Sequence, residues 1–221
     1  MGSLIVIEGV SDGVGKTTQI KELYNNLVND GKKVIYHHFP SYGEIGASLV
    51  EAYLKGDLGN REEIGPYAIS SFYAMDRFYV YNQKLKQALN DDKIVLLDRY
   101  TTSNLIYQGS FFKEKERDNF LNYIADYEYN KLALKRPDLV IFLKLDKDTS
   151  DKLRENRDYD GIDGDINEKD QAFLDKVYDN SLYVASKYDF KIVECSKDGK
   201  LRSIEDISRE IYDIVRKELA L

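Results

Sequence analysis

The sequence predicts an α/β fold, a parallel sheet of five strands between two helical layers, which makes a three-layer α/β/α sandwich. Three observations carry this. Five short β-rich runs are mostly continuous apolar stretches rather than alternating ones, the mark of strands covered on both faces. Amphipathic helical patterns fall between them, and strands alternating with helices build right-handed βαβ crossovers. The length of 221 residues suits one such domain better than two. No repeat, low-complexity tract or linker divides residues 1–221, so they read as a single domain.

The strands are SLIVIE (3–8), KKVIYHHF (32–39), DKIVLLD (92–98), PDLVIFLKL (137–145) and DFKIVEC (189–195). After the first, KTTQIKELYNNLVNDG (16–31) places Ile20, Leu23, Tyr24 and Leu27 on one helical face, with Gly31 as a stop. Residues 61–90 are helix-rich, with Asn60 as an N-cap and Glu63 three places on. A helix spanning 167–189 starts at Asn167 and aligns Phe173, Val177, Val184 and Tyr188. The last helix, 203–219, follows the cap Ser203 and spaces Ile204, Ile207, Ile211, Ile214 and Leu219 at helical intervals. One stretch, NRDYDGIDGDIN (156–167), is rich in Asp and Gly, lacks periodicity and reads as a mobile loop.

The segment between the first strand and the first helix is GVSDGVGKTT. A phosphate-binding loop asks for Gly, four residues, then Gly-Lys-Thr, and here Gly9 stands one place too early. The context still fits, because a buried strand precedes the cluster and an amphipathic helix follows. Backbone N–H groups and a helix N-terminus then cradle phosphate. Ser11, Asp12, Gly13, Val14, Gly15, Lys16, Thr17 and Thr18 form the candidate phosphate site. Lys16 supplies a mobile charge and Thr17 a hydroxyl for Mg²⁺. The irregularity is assigned upstream, to a one-residue bulge near Ser11 with Gly9 still ending the strand. This makes the fold one of the P-loop NTPase type.

A second cluster closes the third strand at Asp98-Arg99, where parallel sheets bind ligands. Asp98 can hold Mg²⁺ through water and Arg99 can clamp a phosphate; a structural ion pair at a strand end is the plainer alternative. Ser103 and Tyr107 share a face of the following helix. In SFYAMDRF (71–78), Tyr73 and Arg77 are four apart, so an aromatic ring and a guanidinium project together. Taken alone, that pair also suits a tyrosine packed in the core beside a solvated arginine. His37 and His38 have no partner at metal spacing and read as structural.

Together, DGVGKTTQ, FPSYGEIG, SFYAMDR and DRYTTSNLIYQG resemble the thymidylate kinase family, from residue 4 to about 190. The resemblance implies phosphorylation of dTMP from ATP and the strand order 2-3-1-4-5. It implies that Lys16 and Thr17 serve ATP and Mg²⁺, that Asp12 meets the acceptor sugar, and that Arg99 holds the acceptor phosphate while Asp98 holds the metal's water. Arg77 would read the thymine edge, with Tyr73, or else Phe72, stacked on the ring; Phe39, Pro40, Tyr42, Ser103, Tyr107 and Gln108 would complete the pocket. Arg154 and Arg157, in a lid over about 154–168, would approach the transferred phosphoryl. The family also implies a homodimer. One departure stands out: where many members carry an arginine two places after Phe-Pro, this chain has Tyr42, which can hydrogen-bond phosphate but brings no charge.

Composition narrows the alternatives. A net charge of −7 argues against a nucleic-acid polymer as partner. No apolar run approaches the roughly 20 residues of a membrane span. The lone Cys195 fits a reducing compartment, and the cytoplasm is the expected location. A deoxynucleoside kinase is a rival, but it wants a carboxylate base near the end of the second strand. The sequence there is HHFPSYG, with Glu44 only further on. A nucleotide-binding module without turnover is the other rival.

Overall fold

The computed structural model describes residues 2–10, 14–155 and 170–221. Its centre is a five-stranded sheet in the order β2-β3-β1-β4-β5, with every neighbouring pair parallel. The strands are β1 (Leu4–Glu8), β2 (Val34–His38), β3 (Ile94–Asp98), β4 (Leu139–Lys144) and β5 (Lys191–Glu194). All five residues of β1 and of β3 are buried, as continuous apolar runs in a covered parallel sheet require.

The helices are α1 (Lys16–Asn29), α2 (Ser48–Leu54), the single turn α3 (Arg61–Ile64), α4 (Pro66–Val80), α5 (Lys86–Asn90), α6 (Thr101–Tyr107), α7 (Glu114–Ala125), α8 (Lys147–Glu155), α9 (Gln171–Lys187) and α10 (Ile204–Glu218). Two π-helical turns extend this set, Tyr81–Leu85 after α4 and Asp126–Lys131 after α7. A two-stranded hairpin, β6 (Ser196–Lys197) with β7 (Lys200–Leu201), precedes α10.

One apolar cluster packs Ile20, Leu23 and Leu27 of α1 with Ile207 and Ile211 of α10 on one face of the sheet. Two others fill the opposite side. Val80, Leu85 and Leu89 pack on β1 and β3, and Phe120, Ile124, Val177 and Val184 pack on Phe142.

The expected caps at Asn60 and Ser203 are present: each side chain accepts from a backbone N–H three residues on, at Glu63 (2.9 Å) and Asp206 (3.1 Å). Two expectations need correction. The helix expected to start at Asn167 starts at Gln171, capped by Asp170, whose carboxylate accepts from Phe173 N at 2.9 Å; Asn167 lies outside the described residues. On α10, Ile207 and Ile211 are buried together with Val215, and Ile214 and Leu219 pack partly buried against the same cluster, but Ile204 in the first turn is half exposed.

Candidate active site

The sheet topology brings the ends of β1 and β3 together, so Glu8 and Asp98 lie near one another at the carboxyl edge, with α1 starting just beyond. Gly9 follows β1 directly. A Cβ at Gly9 would come within 3.1 Å of the Leu143 carbonyl oxygen and 3.2 Å of a Val14 methyl, so glycine fits the turn closely. Gly15 caps α1 with φ of 83°, a left-handed conformation that glycine adopts without strain. It adds no side-chain cap bond, and the first turn of α1 carries no acid. The N-terminal end of that helix is suited to an anion. Lys16 is half-buried there, Thr17 and Thr18 are exposed and Val14 is buried. Ser11, Asp12 and Gly13, and with them the expected bulge, lie outside the described residues.

The two carboxyls respond in opposite directions to this setting. Burial pushes the Glu8 carboxyl up, and the charges of Arg99 and Lys16 with hydrogen bonds from Thr102 and Ser103 only partly offset it. Burial also pushes Asp98 up, but a hydrogen bond from His38 and the charges of Lys16 and Arg99 outweigh it, leaving Asp98 below the usual range. His38 Nδ1 stands 3.2 Å from Asp98 Oδ2. Glu8 Oε1 accepts from Thr102 Oγ1 (2.5 Å) and Ser103 Oγ (2.8 Å). Glu8 Oε2 and Asp98 Oδ1 are buried without a hydrogen-bond partner among the described residues.

Arg99 follows β3 with φ of 65°. A non-glycine residue held there costs about 1–3 kcal/mol, and its N–H is held by the Ile7 carbonyl at 3.2 Å. Its guanidinium donates to Tyr107 Oη at 3.1 Å and lies 5.2 Å from the centroid of that ring.

Beside this edge opens a cavity with about 760 Å³ of atom-free space, counted out into solvent, a size usual for small-molecule sites. Of the expected acceptor residues, Phe39, Pro40, Tyr42, Tyr73 and Arg77 line it, as do Arg99, Ser103, Tyr107 and Gln108. Val10, Leu54, Asn104 and Leu174 add to the wall, and no Asp or Glu among the described residues does. Phe72 is not part of the wall; its ring lies 6.5 Å from that of Tyr53, in the apolar cluster that Leu54 and Tyr73 share behind the cavity. Arg154 belongs to α8 but its side chain, like all of Arg157, lies outside the described residues, and so does nearly all of the expected lid.

The wall itself is tied down. Asp76 Oδ2 accepts from Ser41 N at 2.8 Å, and Ser41 Oγ meets His37 Nε2 at 2.8 Å. This anchors the segment carrying Phe39, Pro40 and Tyr42 to α4. Arg77 is 1 % exposed and not solvated. Its Nε and Nη2 donate to the two oxygens of Glu128, at 2.6 and 2.7 Å.

Glu128, Glu8 and the His38–Asp98 contact escaped the sequence reading. Glu128 left a signal, since it continues the buried series Phe120, Ile124 at a spacing of four; an acid at a core position calls for a partner. Glu8 likewise sits inside a wholly buried strand.

A parallel sheet in this order, with Gly-Lys-Thr opening α1 at its carboxyl edge and a cavity alongside, defines a P-loop kinase acting on small nucleotides. The sequence pattern of the thymidylate kinase family matches residues 7–211, and the chain belongs to that family. Relatives include the thymidylate kinases of Brachyspira hyodysenteriae, 33 % identical with 100 % of this chain and 96 % of the relative covered, and of Pelotomaculum thermopropionicum, 31 % identical with 98 % and 97 % covered. A solved thymidylate kinase structure from Candida albicans superposes with a TM-score of 0.73 at 24 % identity, covering 99 % of this chain and 92 % of that one. That likeness bears on the fold.

Proposed function

We propose that this chain transfers the γ-phosphoryl group of ATP to dTMP, giving dTDP. The observation that carries the reading is the arrangement of Lys16, Arg99 and the cavity. The lysine at the start of α1 and the arginine in the cavity wall both reach the carboxylates of Glu8 and Asp98 with their charge. Phosphoryl transfer is mostly positioning and charge neutralisation, and these two cations face the place where donor and acceptor phosphates would meet.

In this reading Lys16 binds the donor phosphates and Arg99 the acceptor phosphate. Tyr107 steadies Arg99, Tyr73 stacks on the base and Arg77 donates to its edge; Tyr42 and Gln108 close the pocket. Thr17 and Asp98 would hold Mg²⁺; Asp98 Oδ1, without a hydrogen-bond partner among the described residues, and a hydroxyl suit a hard cation that takes oxygen ligands. When bound, such an ion would supply positive charge that neutralises charge developing on the phosphate oxygens. Asp12, Arg154 and Arg157 would contribute as the family resemblance implies. A sugar-hydroxyl acceptor wants a carboxylate base near the end of the second strand; the sequence there is HHFPSYG, and Glu44 is exposed and outside the described cavity wall, which favours a phosphate acceptor. We further place the enzyme in the cytoplasm as a homodimer, which fractionation and light scattering test.

An ADP-release assay with ATP, Mg²⁺ and dTMP, dUMP, thymidine or deoxycytidine tests the activity. ADP formation with dTMP is expected. ADP only with thymidine would mean a nucleoside kinase, and none with any acceptor would sink the kinase reading.

A further inference from the structure

We propose that Glu128 is a positioning residue that sets the hydrogen-bonding polarity of the base end of the cavity, selecting a 4-oxo pyrimidine over a 4-amino one. This rests on the reading above that the cavity holds a nucleoside monophosphate.

Glu128 is wholly buried on the π-helical turn Asp126–Lys131, an irregularity often found at functional sites. Four donors converge on it. Oε2 accepts from Arg77 Nε (2.6 Å) and Thr101 Oγ1 (2.8 Å). Oε1 accepts from Arg77 Nη2 (2.7 Å) and Asn104 Nδ2 (2.9 Å). A carboxylate has about four acceptor positions, so this one is saturated.

Two of its partners, Arg77 and Asn104, line the cavity and share one carboxylate oxygen, so they lie side by side. Arg77 spends three N–H groups, two on Glu128 and one on the Tyr100 carbonyl at 3.4 Å. Of the five a guanidinium has, one on each Nη nitrogen is left. Asn104 spends both amide N–H groups, on Glu128 and on the Ser70 carbonyl at 3.0 Å. Two acceptors around Nδ2 fix the amide orientation, and Oδ1 is what this residue offers the cavity.

The wall therefore presents a donor next to an acceptor. Its complement is a carbonyl next to an N–H, as at positions 4 and 3 of thymine or uracil. Cytosine carries an amino group and a bare ring nitrogen there, the reverse pattern. A buried ion pair by itself adds little stability over apolar residues of the same volume; placed here, it keeps a guanidinium and an amide from rotating.

The test is equilibrium binding of dTMP and dCMP, by calorimetry, to wild type, Glu128→Gln, Glu128→Asp and Thr101→Val, with thermal melts to confirm folding. A glutamine brings its own N–H groups into the cluster and frees Asn104 to turn. The ratio of dTMP to dCMP affinity should fall about tenfold or more in Glu128→Gln, recover in part in Glu128→Asp, and fall a fewfold in Thr101→Val. An unchanged ratio in folded Glu128→Gln would overturn the proposal; if that variant does not fold, an unchanged ratio in Thr101→Val does so. Wild type that binds dTMP without turnover refutes the kinase reading and leaves these ratios decisive, whereas wild type that binds neither nucleotide refutes both.

Discussion

Two buried acidic clusters border the same cavity and are built on opposite principles. Around Glu128 every oxygen has its donors, and none of its atoms is left over. At the carboxyl edge of the sheet, Glu8 and Asp98 each keep one oxygen without a partner among the described residues. Saturation locks a shape, since each donor holds the others in place. An unsatisfied buried carboxylate oxygen costs folding free energy and calls for an explanation, of which completion by a ligand or ion is one. On the function proposed above, we read the Glu128 cluster, the lower one, as scaffold for recognition and the Glu8–Asp98 cluster, the upper one, as prepared for the reacting groups.

That contrast can be broken by experiment. Glu128→Ala strips the partner from a buried guanidinium and should destabilise the fold by about 3–5 kcal/mol, read by chemical denaturation. A loss under 1 kcal/mol would mean the lower cluster is no scaffold. Lys16→Ala and Arg99→Ala should instead lower kcat by roughly 10²–10³-fold with melting temperature nearly unchanged. Near-normal turnover in either would remove the upper cluster's chemical role. Tyr42→Arg sharpens the comparison by adding the missing cation at the cavity rim. One added charge-assisted contact is worth about 1.5–3 kcal/mol, so the KM for dTMP should drop by roughly one to two powers of ten. A KM that stays put would show that the phosphate end does not reach Tyr42.

The smallest effect concerns pH. The Glu8 carboxyl is raised above its ordinary 4.5 by burial. A raised group gives stability that is fully present below 4.5 and is lost as pH climbs through its folded value. Glu8→Gln cannot ionise, so its melting temperature relative to wild type should rise as pH increases above 4.5. A constant difference between the two across that range would place the Glu8 charge in solvent contact instead.

Much of this could be read from the chain. The five strands fall inside the expected runs because a parallel sheet demands unbroken apolar sequence, a local signal. The caps at Asn60 and Ser203 are local too. Nine of the acceptor residues that the family resemblance implied line one cavity; spacing by itself had offered only Arg99 at a strand end and the helix-face pairs Ser103 with Tyr107 and Tyr73 with Arg77. What stayed hidden is long-range. A solvated Arg77 stayed open as one reading because its partner lies 51 residues further on, and no periodicity connects α4 with the turn after α7. The His38–Asp98 contact depends on β2 and β3 being neighbours in register, which spacing alone does not dictate.

The hydrogen bond from Ser41 N to Asp76 has a last consequence. Asp76 precedes Arg77 on α4, so the rim that carries Tyr42 and the floor that carries the guanidinium travel as one body. Retuning this enzyme for a bulkier sugar phosphate or another heterocycle by altering one of them will strain the other. Paired substitutions across the 35-residue gap should then be non-additive, and productive variants should emerge as coupled pairs rather than singly.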